Sequence, residues 1–346
     1  MSASLVGILA RRGIELHNAR KEHAGSNQFP IKPAVLVVTT VVFFAAFIWI
    51  QYIFGRVIPT LAMIESRPDL SSYEHLPTED QDTDATVEKD QELESVKSKP
   101  ITTSLQLTLK LLKSRGGRRG FRILLITQTL IGWTAAFFSA LPYVPTGVGL
   151  VLAPVIWAQP LASWTHLIIS ERNPKPWYRY LALSMKTWRK LAVPTAVVAL
   201  IENASILLPI YAAYAAGFGQ KRPQEIAKLS TQERNIMIGK GAGIFSLAMA
   251  LTIVLAIPAS VVLTRVQASL LPESEETIVP FDRTFKGKVV PETVGGSGVI
   301  GMLDAWTTFD WSDRIRLVKT YVKVFLIYLA LIGLFIVVIY LELVML

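Results

Sequence analysis

The chain has 346 residues, no cysteine, 51% hydrophobic and 18% charged residues, and a mean hydropathy of +0.42. Lacking cysteine, it has no disulfide, no thiolate metal site and no cysteine nucleophile. Its formal charge of +9 sits on a chain with several uninterrupted apolar stretches of about 20 residues, the length that crosses ~30 Å of hydrocarbon, which excludes an ordinary soluble domain and implies a polytopic membrane protein.

Residues 1–33 form an N-terminal tail in which Arg11, Arg12, Arg20 and Lys21 alternate with apolar residues, the pattern of a short amphipathic segment; Glu15 and Glu22 argue against a cleaved transit peptide. The first apolar stretch runs from Ala34 to Phe54. Glu65 to Glu94 then hold 11 acids against Arg67 and Lys89, together with Pro68 and Pro77. So little apolar surface cannot offset the entropy of ordering, and residues 65–99 are expected to be a solvated linker. The further stretches run from Ile123 to Ala140, Gly147 to Ile169, Leu191 to Ala216, Gly241 to Leu263 and Val324 to Leu343. The third carries Pro154 and Pro160 and the fourth Pro194 and Pro209, which membrane helices accept when neighbours satisfy the freed carbonyls.

Positive residues stay on the side from which insertion occurs. The connections after the first, third and fifth stretches hold 25 of the 35 Lys and Arg, and the N-terminal tail and fourth connection hold 10, so both termini are expected to face away from the positive side. Self-similarity also recurs. Pro59, Pro160 and Pro258, each at or near the end of an odd-numbered stretch, are 101 and 98 residues apart. Each is followed by a polar connection that ends in a basic segment with helical apolar spacing: Leu105 to Arg122, Trp177 to Lys190 and Trp311 to Lys323. Trp177, Tyr178, Trp188, Trp311 and Tyr321 beside Lys and Arg suit the headgroup boundary, and these segments read as surface helices on anionic lipid. The fold expected is all-α and integral to the membrane, with six spans in three repeats over 34–140, 141–217 and 218–346.

This organisation resembles the mitochondrial carriers. Pro258-Ala-Ser-Val-Val-Leu-Thr-Arg265-Val-Gln267 is similar to their signature of proline, acid and two bases, with the glutamine that often follows. Gly116-Gly117-Arg118-Arg119-Gly120-Phe121-Arg122 is similar to the glycine, aromatic and basic run that leads from a surface helix into an even span. On that resemblance Pro59, Pro160, Pro258, Arg265, Gln267, Gly117, Phe121 and Arg122 are signature remnants. The resemblance implies transport of a small solute through a central cavity, a location in a mitochondrial membrane, the inner before the outer, and termini on the intermembrane-space side. It implies neither enzyme activity nor a cofactor. The chain departs from the pattern where the family forms its gating ion pairs: the acid positions are Leu61, Ala162 and Ser260, the first base positions Ile64, Thr165 and Leu263, and the last base positions Ser66, Leu167 and Arg265. That loss motivates the alternative of a carrier-like adaptor without transport.

Glu202 and Asn203 lie near the middle of the fourth stretch. An acid at bilayer depth costs at least ~2.5 kcal/mol on insertion scales, so it is expected to face a cavity or partner, and by the resemblance these residues are the substrate-contact candidates. Gln128, Gln159 and His166 read as interhelical hydrogen bonders. Gly147, Gly149 and Ala153, and Gly239, Gly241 and Gly243, are expected to let helices approach closely. Gly296-Ser-Gly298-Val-Ile-Gly301 matches a dinucleotide fingerprint by letter, but a membrane span rather than a βαβ unit follows, so it reads as a capping loop. No metal-ligand spacing, catalytic triad, P-loop or nucleic-acid motif is present in the sequence.

Overall fold

The computed structural model describes residues 31–66, 100–115, 120–171, 184–219, 229–290 and 294–345. The tail segment Met1 to Ala24, Gly117, and residues 67–99 of the acidic stretch lie outside the described residues. Among the described residues the chain is all-helical, without strands apart from one isolated antiparallel bridge, Ser170 to Thr277. The helices are α1 (Ile31–Ile50), α2 (Ile58–Ile64), α3 (Leu105–Arg115), α4 (Phe121–Ala140), α5 (Thr146–Ile156), α6 (Ala158–Ile169), α7 (Met185–Ala215), α8 (Thr231–Leu251), α9 (Ile257–Ser269), α10 (Met302–Thr307) and α11 (Trp311–Met345). Among the described residues five helical runs are long and apolar enough to cross a membrane, or six if the bent pair α5 and α6 counts as one span, which by length and composition is the pattern of a multi-pass membrane protein. Aliphatic side chains such as Val37, Val41, Leu200, Leu334 and Ile336 are exposed along these runs, as lipid-facing residues are.

Each odd-numbered stretch breaks just before its repeated proline. A π-helical segment, Gln51–Val57, joins α1 to α2 and precedes Pro59, and a second, Thr252–Ala256, joins α8 to α9 and precedes Pro258. There the Ile257 N–H reaches back five residues to the Thr252 carbonyl. The third stretch, expected as one span from Gly147 to Ile169, is instead broken at Trp157 with a 56° bend. The cause is common to all three: proline has no N–H to give the carbonyl four residues back, and its ring crowds that carbonyl, so the ladder slips or parts.

Two of the three expected surface helices are not separate elements. Met185 to Lys190 is the first part of α7, residues 177–183 being outside the described residues, and Trp311 to Lys323 is the first third of α11. No glycine or proline stands at Lys190-Leu191 or Lys323-Val324 to end a turn, so the hydrogen-bond ladder runs on. Leu105 to Arg115 is a helix of its own, whereas Phe121 and Arg122 belong to the first turn of α4.

The chain divides into two compact units. The first comprises residues 1–56 and 321–346. In it Phe43 stacks on Phe335 at 3.9 Å, Phe47 lies 5.7 Å from Tyr328, and the Thr39 hydroxyl donates to the Glu342 carboxylate at 2.5 Å. The partners ascend on one helix as they descend on the other, so the two helices run antiparallel here. Gly55 belongs to this seam, since a Cβ there would overlap the Tyr328 hydroxyl.

The second unit is residues 57–320. Here α2, α6 and α9, the segments that follow the three breaks, all pack on one another, with α4, α5, α7 and α10 around them. A core of Ala158, Ala162, Leu191, Val266, Phe285, Ile300 and Ala305 unites α6, α7, α9, α10 and the long connection from Leu270 to Gly301. Gly149 is where α5 meets α4, for a Cβ would stand 2.7 Å from the Ala135 carbonyl oxygen. Gly147, Gly239 and Gly243, expected to allow similar approaches, face open space instead.

Candidate functional site

The chemistry concentrates where α2, α6 and α9 end together. These ends lead into the connections that hold 25 of the 35 Lys and Arg, so the junction lies on the positive side of the chain. Leu61, Ile64, Ala162 and Leu167 are buried there, so these four signature positions form an apolar seal, with the buried Thr165 beside them. Two of the remnants in α9, Arg265 and Gln267, reach in opposite directions. Arg265, 7% exposed, donates to the Met63 carbonyl on α2 (3.3 Å) and to the Thr308 hydroxyl (2.9 Å), while Phe285 and Phe309 stand 4.8 and 5.4 Å from its guanidinium carbon. Gln267 turns to α6: the Thr165 hydroxyl donates to its side-chain oxygen (2.6 Å) and His166 Nε2 donates to its backbone carbonyl (2.7 Å). One turn of one helix thus holds both neighbours.

A buried ion pair at the same junction escapes sequence reading. Glu65, assigned above to the solvated linker, is 2% exposed. Its carboxylate accepts from the Ile101 N–H (2.5 Å), the Thr102 N–H (3.0 Å) and the Thr102 hydroxyl (2.5 Å), and lies 3.5 Å from Arg316 Nη1. Arg316 also donates to the carbonyls of Ala62 and Glu65 at the end of α2 and is 3.4 Å from Asp313. A cation on the last, otherwise orphaned carbonyls of a helix is favourable to its dipole. Composition placed Glu65 with ten other acids; only its position directly after an apolar run set it apart, and its partner lies 251 residues away.

Pro59 and Pro160 are buried and Pro258 is partly so; Phe121 is half-buried and Arg122 exposed at the start of α4. Glu202 is exposed on α7, whereas Asn203 is committed to structure, its amide donating to the Ala199 carbonyl (2.7 Å) and the Leu150 carbonyl (3.3 Å). Leu150 is four residues before Pro154, so Asn203 supplies the donor that the proline lacks. Trp188 serves the same break by donating to the Val155 carbonyl at 2.9 Å. Gln159 likewise donates to the Ser184 carbonyl at 2.6 Å.

Beyond α9 the chain makes a tight turn at Asp282 to Gly287, with Phe285, Lys286 and Gly287 all at positive φ (50°, 61° and 76°). Two consecutive non-glycine residues in that region are strained. The Asp282 carboxylate holds them by accepting from the Thr284 hydroxyl and the Thr284 and Lys286 N–H groups. Partial burial opposes the charge, but the hydrogen bonds from the Thr284 hydroxyl and the Lys286, Thr284 and Phe285 amides outweigh it and keep this carboxyl below its ordinary range. A depressed carboxyl contributes stability that is present above its unfolded value, about 4, and is lost as the pH falls through the folded one. Amide hydrogen exchange should therefore show protection of Thr284 and Lys286 falling on acidification below that range, and Asp282→Asn should abolish the pH dependence.

The Gly296 to Gly301 run is a loop with no strand before it among the described residues, and Gly301 is the N-cap of α10. No cluster of potential metal ligands occurs among the described residues. Compared with protein-family models, curated proteins and solved structures, the chain matches none.

Proposed function

We propose that the chain is a divergent carrier-type membrane protein of mitochondria, in the inner membrane before the outer, that moves a small solute between its repeats without catalysing a reaction or using a cofactor. The observation that carries this reading is the convergence of α2, α6 and α9, three segments a hundred residues apart that follow the same proline break and meet at one end. Such an end is what an alternating-access protein closes while its other end is open. The three-repeat organisation is part of the proposal, as are both termini on the intermembrane-space side and anionic headgroups as partners of the basic connections. Glu202, exposed on α7, is the residue of the fourth span that meets solute in this reading, with Asn203 beside it.

The test is solute exchange by the purified protein in liposomes, with Glu202→Gln beside it. Exchange that Glu202→Gln lowers by about tenfold or more, at unchanged helix content, is the expected result. Exchange indifferent to the substitution removes Glu202 from the path, and no exchange of any solute class removes transport.

A second reading, a carrier-like adaptor in mitochondrial morphology, lipid handling or protein recruitment, is favoured by one observation: the junction is sealed by Leu61, Ile64 and Ala162, none of which can form or break an ion pair. A folded but inert protein in that assay would select it.

A further inference from the structure

The connection that follows α9 does more than link it to α10. From Glu276 to Asp282 it crosses the ends of both other segments. On one side the Glu171 N–H donates to the Glu276 carbonyl (2.7 Å), Ser170 and Thr277 form the antiparallel bridge, and the Ile278 N–H donates to the Ile169 carbonyl (2.9 Å), all at the end of α6. Then the bonding changes partner. The Ser66 N–H donates to the Pro280 carbonyl (2.9 Å) and the Asp282 N–H to the Ser66 hydroxyl (3.1 Å), at the end of α2. Proline at 280 leaves that residue only an acceptor to offer, and Ser66 supplies its donor.

Both ends of the crossing are fixed. Val279 between the two sets of bonds is 2% exposed. Arg283, next along, donates to the carbonyls of Pro272 (2.8 Å), Leu271 (3.4 Å) and Glu275, so the connection is folded back on its own root. Phe285 then enters the core beside Arg265.

We propose that Glu276–Asp282 is a strap that ties the end of α2 to the end of α6 and holds this face of the protein shut, so that its release from one of the two is the step that opens the face. This rests on the carrier-type reading above. Two helix ends bonded to one short segment cannot part while both sets of bonds persist, and the α6 set is made of backbone groups, which side-chain motion alone cannot release. The α2 set depends on the Ser66 hydroxyl as well as on one backbone bond, and is the side that lets go.

The test uses the absence of native cysteine. Directly opposed residues of an antiparallel bridge have Cα atoms about 4.5–5.5 Å apart, within the range a disulfide spans, so Ser170→Cys with Thr277→Cys permits a lock on the α6 side. A corresponding lock on the α2 side joins Ser66→Cys to Asp282→Cys through a short bis-methanethiosulfonate, which forms a reducible mixed disulfide with each thiol and releases two sulfinates. The reporter is Leu61→Cys, fully buried in the seal, with Val261→Cys as a second should the first not fold. A membrane-impermeant maleimide is offered to liposomes from both faces, and modification of the reporter is read by mass spectrometry, alongside solute flux.

The α2-side lock is expected to suppress reporter labelling by about tenfold or more, reversed by reductant, while the α6-side lock leaves it unchanged, as local opening at one seam requires. Ser66→Ala, which removes the hydroxyl that holds Asp282, is expected to speed labelling. Labelling indifferent to the α2-side lock, or absent in every form, overturns the strap. Labelling that responds while no solute moves leaves the strap standing and removes the transport reading; flux that persists through an indifferent lock does the reverse.

Discussion

Arg316→Met is expected to destabilise the protein by about 3–5 kcal/mol, since it removes one partner of a buried ion pair and leaves the other charged. Glu65 would keep its bonds to Ile101 and Thr102 but lose its counter-charge at 2% exposure, and the carbonyls of Ala62 and Glu65 at the end of α2 would lose their donor. Glu65→Gln is the milder change, because its amide can still accept one bond although its NH₂ would confront the Ile101 or Thr102 N–H. The double variant should lose less than the two single losses together, the mark of direct coupling. Thermal or denaturant unfolding in detergent measures all three. A loss under about 1 kcal/mol for Arg316→Met would mean that the pair is solvated in the membrane-bound protein.

Gly149→Ala is expected to part α4 from α5, at a cost of about 1–3 kcal/mol. The added methyl would lie 2.7 Å from the Ala135 carbonyl oxygen and 3.0 Å from Phe138 Cβ. The first obstacle is backbone, which no rotamer change removes. Gly147→Ala, two residues earlier and facing open space, is the control: it should be neutral or slightly stabilising, because alanine favours helix over glycine by ~1 kcal/mol. Equal behaviour of the two variants in the same unfolding assay would rule out a close α4 and α5 contact. Small residues in membrane helices are informative only when a neighbour's backbone fills the space they leave.

Hydropathy made the spans legible because hydrocarbon thickness fixes their length, and the repeated prolines marked where odd helices break because the cause is local to the chain. Helix ends were less legible. The start of α8 at Ser230 was in fact written in the sequence as Ser-Thr-Gln-Glu, a capping box in which Ser230 and Glu233 satisfy each other's backbone N–H groups, ahead of the apolar run that begins at Gly241. The basic amphipathic segments before α7 and α11 misled in the opposite direction, since amphipathic spacing says which face is wet and not where a helix stops. The junction itself was half visible. Arg265 and Gln267 stood out by motif, but Glu65, Arg316 and the strap act through pairings between residues as much as 251 positions apart, which no local pattern encodes. Asn203 shows the converse: a polar residue at bilayer depth suggested a ligand, and its partner is the carbonyl freed by Pro154 on the neighbouring helix.

The hold of Glu65 on Ile101 and Thr102 brings together the two ends of a 35-residue excursion. Once the ends are joined, the entropy of closing such an excursion grows only with the logarithm of its length, about 0.6 kcal/mol for each doubling. The fold is thereby insulated from the number of residues between Ser66 and Pro100. What the described fold feels at this point is the identity of residue 65, which alone makes the three bonds that join the two ends.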